Sequence, residues 1–190
     1  MNTSNSMLSD LEQILISEAQ LKKRIIELGQ QITSDYKQDN SINEIVLVCI
    51  LRGAVFFLAD LARAIEMPVL FDFISVSSYG DSSKSSGIVR IMKDLDENIE
   101  NKHVVIVEDI IDTGLTLNHL VEVLKSRNPA SLKICTLLTK PKRRKVDIKV
   151  DYIGFEIDDF FVVGYGLDYA GKYRNLPLVG ALDPKIYSKD

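Results

Sequence analysis

The segment Val104-Val105-Ile106-Val107-Glu108-Asp109-Ile110-Ile111-Asp112-Thr113-Gly114-Leu115-Thr116 concentrates the groups of this chain that could do chemistry. Glu108, Asp109 and Asp112 supply three carboxylates within five residues. Such a set can hold sugar hydroxyls, a divalent cation, or a proton taken from a substrate. Thr113, Gly114 and Thr116 follow at the predicted start of a helix, where hydroxyls and approachable backbone N–H groups suit a phosphate monoester. Each part also has a plainer reading, with Asp112 or Thr113 as a helix cap and Glu108-Asp109 as a solvated strand end. One cap needs one side chain, so capping leaves most of the string unexplained. No Gly-x-x-x-x-Gly-Lys loop is present, and Gly164-x-Gly166 is followed by Gly171 at the wrong spacing for a dinucleotide fingerprint.

Positioning these groups falls to the runs around them. Residues 104–107 are wholly apolar, the pattern of a strand buried on both faces of a parallel sheet, and the run ends abruptly at Glu108-Asp109. A short loop over 110–114 then opens a helix over about 115–126, and the next strand is predicted at 132–138. Upstream, Ile45–Leu51 reads as another buried strand, broken by Arg52-Gly53 and followed by a helix over 54–65 and a strand over 69–76. Strand-helix-strand units of this kind cross over right-handed. The serine-rich stretch 77–87 is predicted to be a mobile loop before a strand at 88–92. Near the N-terminus, Ser17 stands three residues before Gln20 as a capping box. Leu21, Ile25, Leu28 and Ile32 then recur at helical spacing, so that helix buries one face. Beyond the basic run 140–145, short strands are predicted at 152–155 and 161–165, followed by an irregular tail. In an open α/β sheet, ligands bind beyond the carboxyl ends of the strands, where the acid-rich segment must lie.

The chain has 190 residues, 46% apolar and 26% charged, which fills a core and excludes a disordered chain or a disulfide scaffold. It reads as one domain over 1–190, with an α/β core of about 37–165 and a small hood from about 1–36 and 166–190. With 23 Lys plus Arg against 27 Asp plus Glu, the formal charge is −4. That is not the footprint of a sequence-independent nucleic-acid binder, so no nucleic-acid partner is expected and any anionic ligand must be met locally. Cys49 and Cys135 lie in apolar runs and read as buried free thiols. No secretory signal and no apolar stretch near the roughly 20 residues of a membrane span is visible. A cytoplasmic protein with no membrane partner is expected.

The segment 104–116 resembles the diphosphate-ribose binding motif of the phosphoribosyltransferases: an apolar strand, two acids, and an acid-rich loop ending in Thr-Gly-x-Thr. The resemblance narrows to the hypoxanthine-guanine type, especially its bacterial members. Leu51-Arg52-Gly53, Ser78-Tyr79-Gly80, Leu138-Thr139-Lys140, and the run from Phe161 through Asp168-Tyr169 to Arg174 agree with it. It covers about 11–182, almost the whole chain. Arg52 stands where other members carry Lys.

The resemblance implies a type I phosphoribosyltransferase fold, with a central mainly parallel sheet flanked by helices and a hood. It also implies transfer of a 5-phosphoribosyl group from phosphoribosyl diphosphate to N9 of a 6-oxopurine, with Mg²⁺ as cofactor and a dimeric or tetrameric assembly. The transition state is oxocarbenium-like, so stabilising the departing pyrophosphate matters more than supplying a nucleophile. By the same resemblance, Glu108 and Asp109 hold ribose hydroxyls near the cation, and Asp168 is a further Mg²⁺ ligand. Asp112, Thr113, Gly114, Leu115 and Thr116 enclose the 5′-phosphate, Ile110 and Ile111 join them in binding substrate, and Asp112 is the general acid/base beside the purine N7. Lys140 faces O6, Phe161 stacks on the base, and Val162 offers backbone groups to the purine edge. Arg52 and Arg174 meet pyrophosphate, Leu51, Arg52 and Gly53 form its loop with a cis Leu51-Arg52 peptide, and Ser78-Tyr79 close over the site. Two alternatives stand beside this one: a xanthine-preferring transferase, and an RNA-binding regulator that keeps the site as a sensor and uses the basic run 140–145.

Overall fold

The computed structural model describes residues 3–78 and 89–188. In chain order its elements are α1 (Thr3–Ser9), β1 (Leu11–Ile16), α2 (Glu18–Lys37), β2 (Ile45–Leu51), α3 (Val55–Ala64), β3 (Val69–Ser78) and β4 (Val89–Lys93). There follow β5 (His103–Ile111), α4 (Leu115–Lys125), β6 (Ser131–Thr139), a 3-10 turn (Pro141–Arg143), β7 (Tyr152–Glu156), β8 (Val162–Val163), β9 (Val179–Leu182) and α5 (Pro184–Tyr187).

β2 and β5 are the central strands of a six-stranded sheet in the order β4-β3-β2-β5-β6-β7, parallel throughout except for the antiparallel edge pair β3–β4. Their unbroken apolar runs are explained by burial on both faces. Leu47, Cys49, Val105 and Val107 join the cluster with α2 and α3, whereas Val46, Val48, Val104 and Ile106 join the cluster with α4. This is the alternation a strand imposes on successive side chains. α2 starts where the capping box predicts: Gln20 N donates to Ser17 Oγ and Ser17 N donates to Gln20 Oε1. A cap of this kind stabilises a helix by about 1 kcal/mol.

Several boundaries differ from those predicted. β5 does not stop at Glu108 but runs to Ile111, because β6 continues beside it and pairs Ile110 with Leu138 and Ile111 with Thr139. The expected loop 110–114 thus shrinks to 112–114. The strand expected at 161–165 is reduced to Val162–Val163, since Gly164, Tyr165 and Gly166 all take positive φ and turn the chain. A small antiparallel sheet, β1-β9-β8, takes strands from both ends and also Val162–Val163, whereas α2 packs into the core against α3. β3 carries the chain to Ser78, and Tyr79 with the predicted mobile loop lies outside the described residues.

Cys49 and Cys135 are free and buried, and burial pushes both thiols up, Cys49 to about 12. The thiolate is the reactive form, so iodoacetamide at pH 8 is expected to leave both unmodified in the folded protein and to label both in denaturant. Mass spectrometry reads the result, and rapid native labelling would contradict this packing.

Candidate active site at the carboxyl ends of β2, β5 and β6

Register places the acid-rich turn. Ile111 and Thr139 are paired across β5 and β6, and Lys140 N donates to Ile111 O at 3.0 Å. Asp112 and Lys140 therefore leave neighbouring strands at the same level. Lys145 N donates to Thr113 O at 3.0 Å, which ties the basic segment to the turn 112–114. Gly114, at φ +80°, is the N-cap of α4 and offers no side-chain cap, while Thr113 Oγ1 reaches Leu115 N only at 3.5 Å. The capping reading of Asp112 and Thr113 therefore fails, and the helix N-terminus keeps backbone N–H groups for a ligand.

Asp109 is seated against the loop that follows β2. Its Oδ1 accepts from Ile110 N at 2.7 Å, and its Oδ2 lies where a Cβ on Gly53 would come within 1.5 Å. Only glycine fits at 53. The Leu51-Arg52 peptide is cis, Arg52 is exposed, and Gly53 O in turn packs on Gly166, whose φ is +101° and whose Cβ would meet that oxygen at 1.9 Å. Two side-chain-free positions thus bring three segments of the chain together around one carboxylate. Burial pushes the Asp109 carboxyl up to about 6 against the pull of Ile110 N–H and Arg174, and the charge of Asp168 pushes the same way as burial. Glu108 is raised well above the ordinary carboxylate range by burial and by Asp109.

Asp168 and Arg174 form a close pair. Arg174 Nη2 lies 2.6 Å from Asp168 Oδ1, Arg174 Nη1 donates to Gly166 O at 2.5 Å, and Asp168 Oδ2 accepts from Gly171 N at 2.8 Å. Glu108, Asp109 and Asp168 do not converge into one cage: among the described residues no group of three or more His, Cys, Asp or Glu stands ready for a metal. Glu108 and Asp109 are consecutive in β5, and the charge of Asp109 acts on Glu108. The charge of Asp168 acts on Asp109 from the other side of the site.

Lys140 is 8% exposed, and its Nζ donates to Phe160 O at 2.6 Å and to Asp159 Oδ1 at 3.4 Å. Phe161 is 39% exposed, stacks on Tyr187 of α5 at 4.8 Å between centroids, and meets Tyr169 edge-on at 5.6 Å. Val162 is buried and pairs with Ala181 of β9. The sequence reading missed Asp159, Arg143 and Tyr187. Arg143 and Asp159 lie within runs of like charge, whose partners cannot be seen along the chain. Lys140, Lys142, Arg143 and Arg144 of the basic run all have partners in the chain itself: Asp159 and Phe160 O, Asp158, Asp112 with Asp159, and Thr139 Oγ1. They do not form the free cationic stripe that an RNA surface needs. A cavity of about 590 Å³ between α2, α3 and residues 174–177 shares only Arg174 with the predicted site residues.

Known proteins match this arrangement along nearly the whole chain. The phosphoribosyl transferase domain model matches residues 12–170. The hypoxanthine-guanine phosphoribosyltransferase of Bacillus subtilis is 50% identical over 181 residues, covering 95% of this chain and 98% of the relative. The hypoxanthine phosphoribosyltransferase of Salmonella typhimurium is 54% identical over 168 residues, covering 88% and 93%. The crystal structure of a hypoxanthine phosphoribosyltransferase from Staphylococcus aureus superposes with a TM-score of 0.92 at 47% identity, covering 97% of this chain and 98% of that one. The chain belongs to the phosphoribosyltransferase family, among its hypoxanthine-guanine members.

Proposed function

We propose that this protein is a purine salvage enzyme that transfers the 5-phosphoribosyl group of phosphoribosyl diphosphate to N9 of hypoxanthine or guanine, giving the nucleoside monophosphate and pyrophosphate. The observation that carries the reading is the pairing of Ile111 with Thr139, which sets Asp112 and Lys140 side by side. N7 and O6 lie on the same edge of a 6-oxopurine, so one edge of the base meets both residues. Lys140 has only donors to offer, which favours a 6-oxo group over the 6-amino group of adenine. Asp112 takes the proton that the purine loses as N9 becomes nucleophilic. Phe161, held by Tyr187 and Tyr169, supplies an apolar face for the ring, and Val162 presents backbone groups to its edge.

The backbone of residues 113–116, with the Thr113 and Thr116 hydroxyls, holds the 5′-phosphate at the open start of α4. Glu108 and Asp109 hold the ribose hydroxyls. Arg52 and Arg174 face pyrophosphate beside the Leu51–Gly53 loop. Mg²⁺ suits Asp109 and Asp168: their carboxylates act on each other unfavourably, and this ion is held by one or two carboxylates with substrate oxygens and water completing its shell. Bound there, it would neutralise charge on the departing pyrophosphate. The enzyme works in the cytoplasm as a homo-oligomer. Ile26, Phe56 and Phe71, all exposed, are apolar surface that such an assembly would cover. Among the described residues no helix is long and apolar enough to cross a membrane.

A spectrophotometric assay with phosphoribosyl diphosphate, Mg²⁺ and each of hypoxanthine, guanine, xanthine and adenine tests the assignment. Hypoxanthine or guanine is expected to be turned over and adenine not; xanthine as the best substrate would overturn the preference. Lys140→Met is expected to raise the KM for hypoxanthine about tenfold or more, the value of one charge-assisted hydrogen bond, with little change in the KM for phosphoribosyl diphosphate.

A further inference from the structure

The basic run 140–145 is not used up by the functions assigned above, and its central residue reaches into the site. Arg143 Nε lies 2.6 Å from Asp112 Oδ1, and Arg143 Nη1 donates to both carboxylate oxygens of Asp159 at 3.0 Å. Asp159 Oδ1 also accepts from Lys140 Nζ at 3.4 Å. The four side chains form one ionic chain, Asp112–Arg143–Asp159–Lys140, linking the turn after β5 to the turn after β6 and to the segment that precedes Phe161.

Asp112 has little else to hold it. It sits in the bend between β5 and α4, outside the strand ladder, and its Oδ1 is shielded from solvent with no hydrogen-bond partner among the described residues, so the ion pair with Arg143 is what holds it. The side chain as a whole is 41% exposed, so its open part is the remainder of the carboxylate, Oδ2 included. The backbone of Arg143 is tied to its surroundings. It ends the 3-10 turn Pro141–Arg143, its N donates to Lys140 O at 3.0 Å, and two residues on Lys145 N is bonded to Thr113 O. A guanidinium is planar and rigid, so bonds from Nη1 to both oxygens of Asp159 also fix where the cationic Nε side stands beside Asp112. Ion pairs as exposed as these add little to stability. Their consequence is orientation.

We propose that Arg143 is a positioning residue of the transfer reaction: anchored by Asp159, it turns the Asp112 carboxylate so that Oδ1 is held and Oδ2 faces the purine. Asp159, by gripping Lys140 as well, sets the spacing between the group that takes the N7-side proton and the group that reads O6. This inference rests on the assignment of Asp112 as the proton acceptor.

The test is a double-mutant cycle on the full-length enzyme, with kcat and both KM values measured for hypoxanthine and phosphoribosyl diphosphate. Arg143→Ala is expected to lower kcat about tenfold and to leave the KM for phosphoribosyl diphosphate within about twofold, with Arg143→Lys recovering part of the loss. In an Asp112→Asn background, Arg143→Ala is expected to change kcat by less than about twofold, because there is no carboxylate left to orient. Lys142→Ala, which removes the neighbouring exposed cation, keeps kcat within about twofold of the parent if orientation rather than general charge is at work. Asp159→Asn, which loosens both cations, lowers kcat and raises the KM for hypoxanthine. Equal losses from Arg143→Ala in both backgrounds, or a loss from Lys142→Ala as large as that from Arg143→Ala, would overturn the proposal while leaving the role of Asp112 standing. Full turnover in Asp112→Asn alone would instead remove the underlying assignment.

Discussion

Asp112→Asn is expected to cut turnover by roughly 10²–10⁴-fold, the range that positioned general acid–base groups supply. The substitution keeps the shape of the side chain and removes only its capacity to take a proton. Phosphoribosyl diphosphate is met elsewhere, by the backbone N–H groups and hydroxyls of 113–116 at the uncapped start of α4. Its KM is therefore expected to stay within about twofold, since an interaction made only in the transition state lowers kcat and kcat/KM together. Steady-state kinetics with saturating hypoxanthine separate the two parameters. A rise in the KM for phosphoribosyl diphosphate as large as the fall in kcat would mean that Asp112 organises the phosphate turn and moves no proton.

Gly53→Ala is the second large effect. The new Cβ would stand 1.5 Å from Asp109 Oδ2 and 2.6 Å from its Cγ, and no rotation of a methyl relieves that overlap. The Asp109 carboxylate must leave its seat, and its bond from Ile110 N must break or bend with it. A displacement of about 1 Å in a group that positions substrate costs about 10²-fold, so kcat/KM for phosphoribosyl diphosphate is expected to fall by at least that factor. The protein should still fold, with a loss of about 1–3 kcal/mol from overpacking seen as a lowered midpoint in thermal or urea unfolding. A variant with wild-type kcat/KM would show that the seat of Asp109 is not needed for substrate. A variant that fails to fold is distinguished from this by its circular dichroism.

These effects come from residues whose importance has different origins. Glu108, Asp109 and Asp112 stand out in the chain itself because acids following an apolar strand have no structural purpose that explains all of them. Gly53 acquires its meaning only when β2 and β5 are paired and Asp109 is laid across it. The same division runs through the fold. The buried strands β2, β5 and β6 and the capped start of α2 are written in local patterns, in largely apolar runs and a Ser-x-x-Gln step. Leu11–Ile16 carries no such signature as a strand, because its partner β9 comes from the other end of the chain. The run 161–165 looks like a strand locally and is cut short by three successive positive φ values, at Gly164, Tyr165 and Gly166, the first packed against Leu178 O and the last against Gly53 O.

By itself the sequence determined the parallel α/β architecture, the place of the acidic turn at a strand end, and the kinship that ties that turn to phosphoribosyl transfer. Hydrophobic periodicity and loop chemistry act over a few residues, so they can be read along the chain. Tertiary structure alone decided that β5 extends to Ile111 and that Asp112 stands level with Lys140, both through pairing with β6. It also decided that the basic run turns inward, with Arg143 spanning Asp112 and Asp159. The reason is physical: a charge run fixes how many cations are present, whereas their partners depend on which turns the sheet register brings within reach.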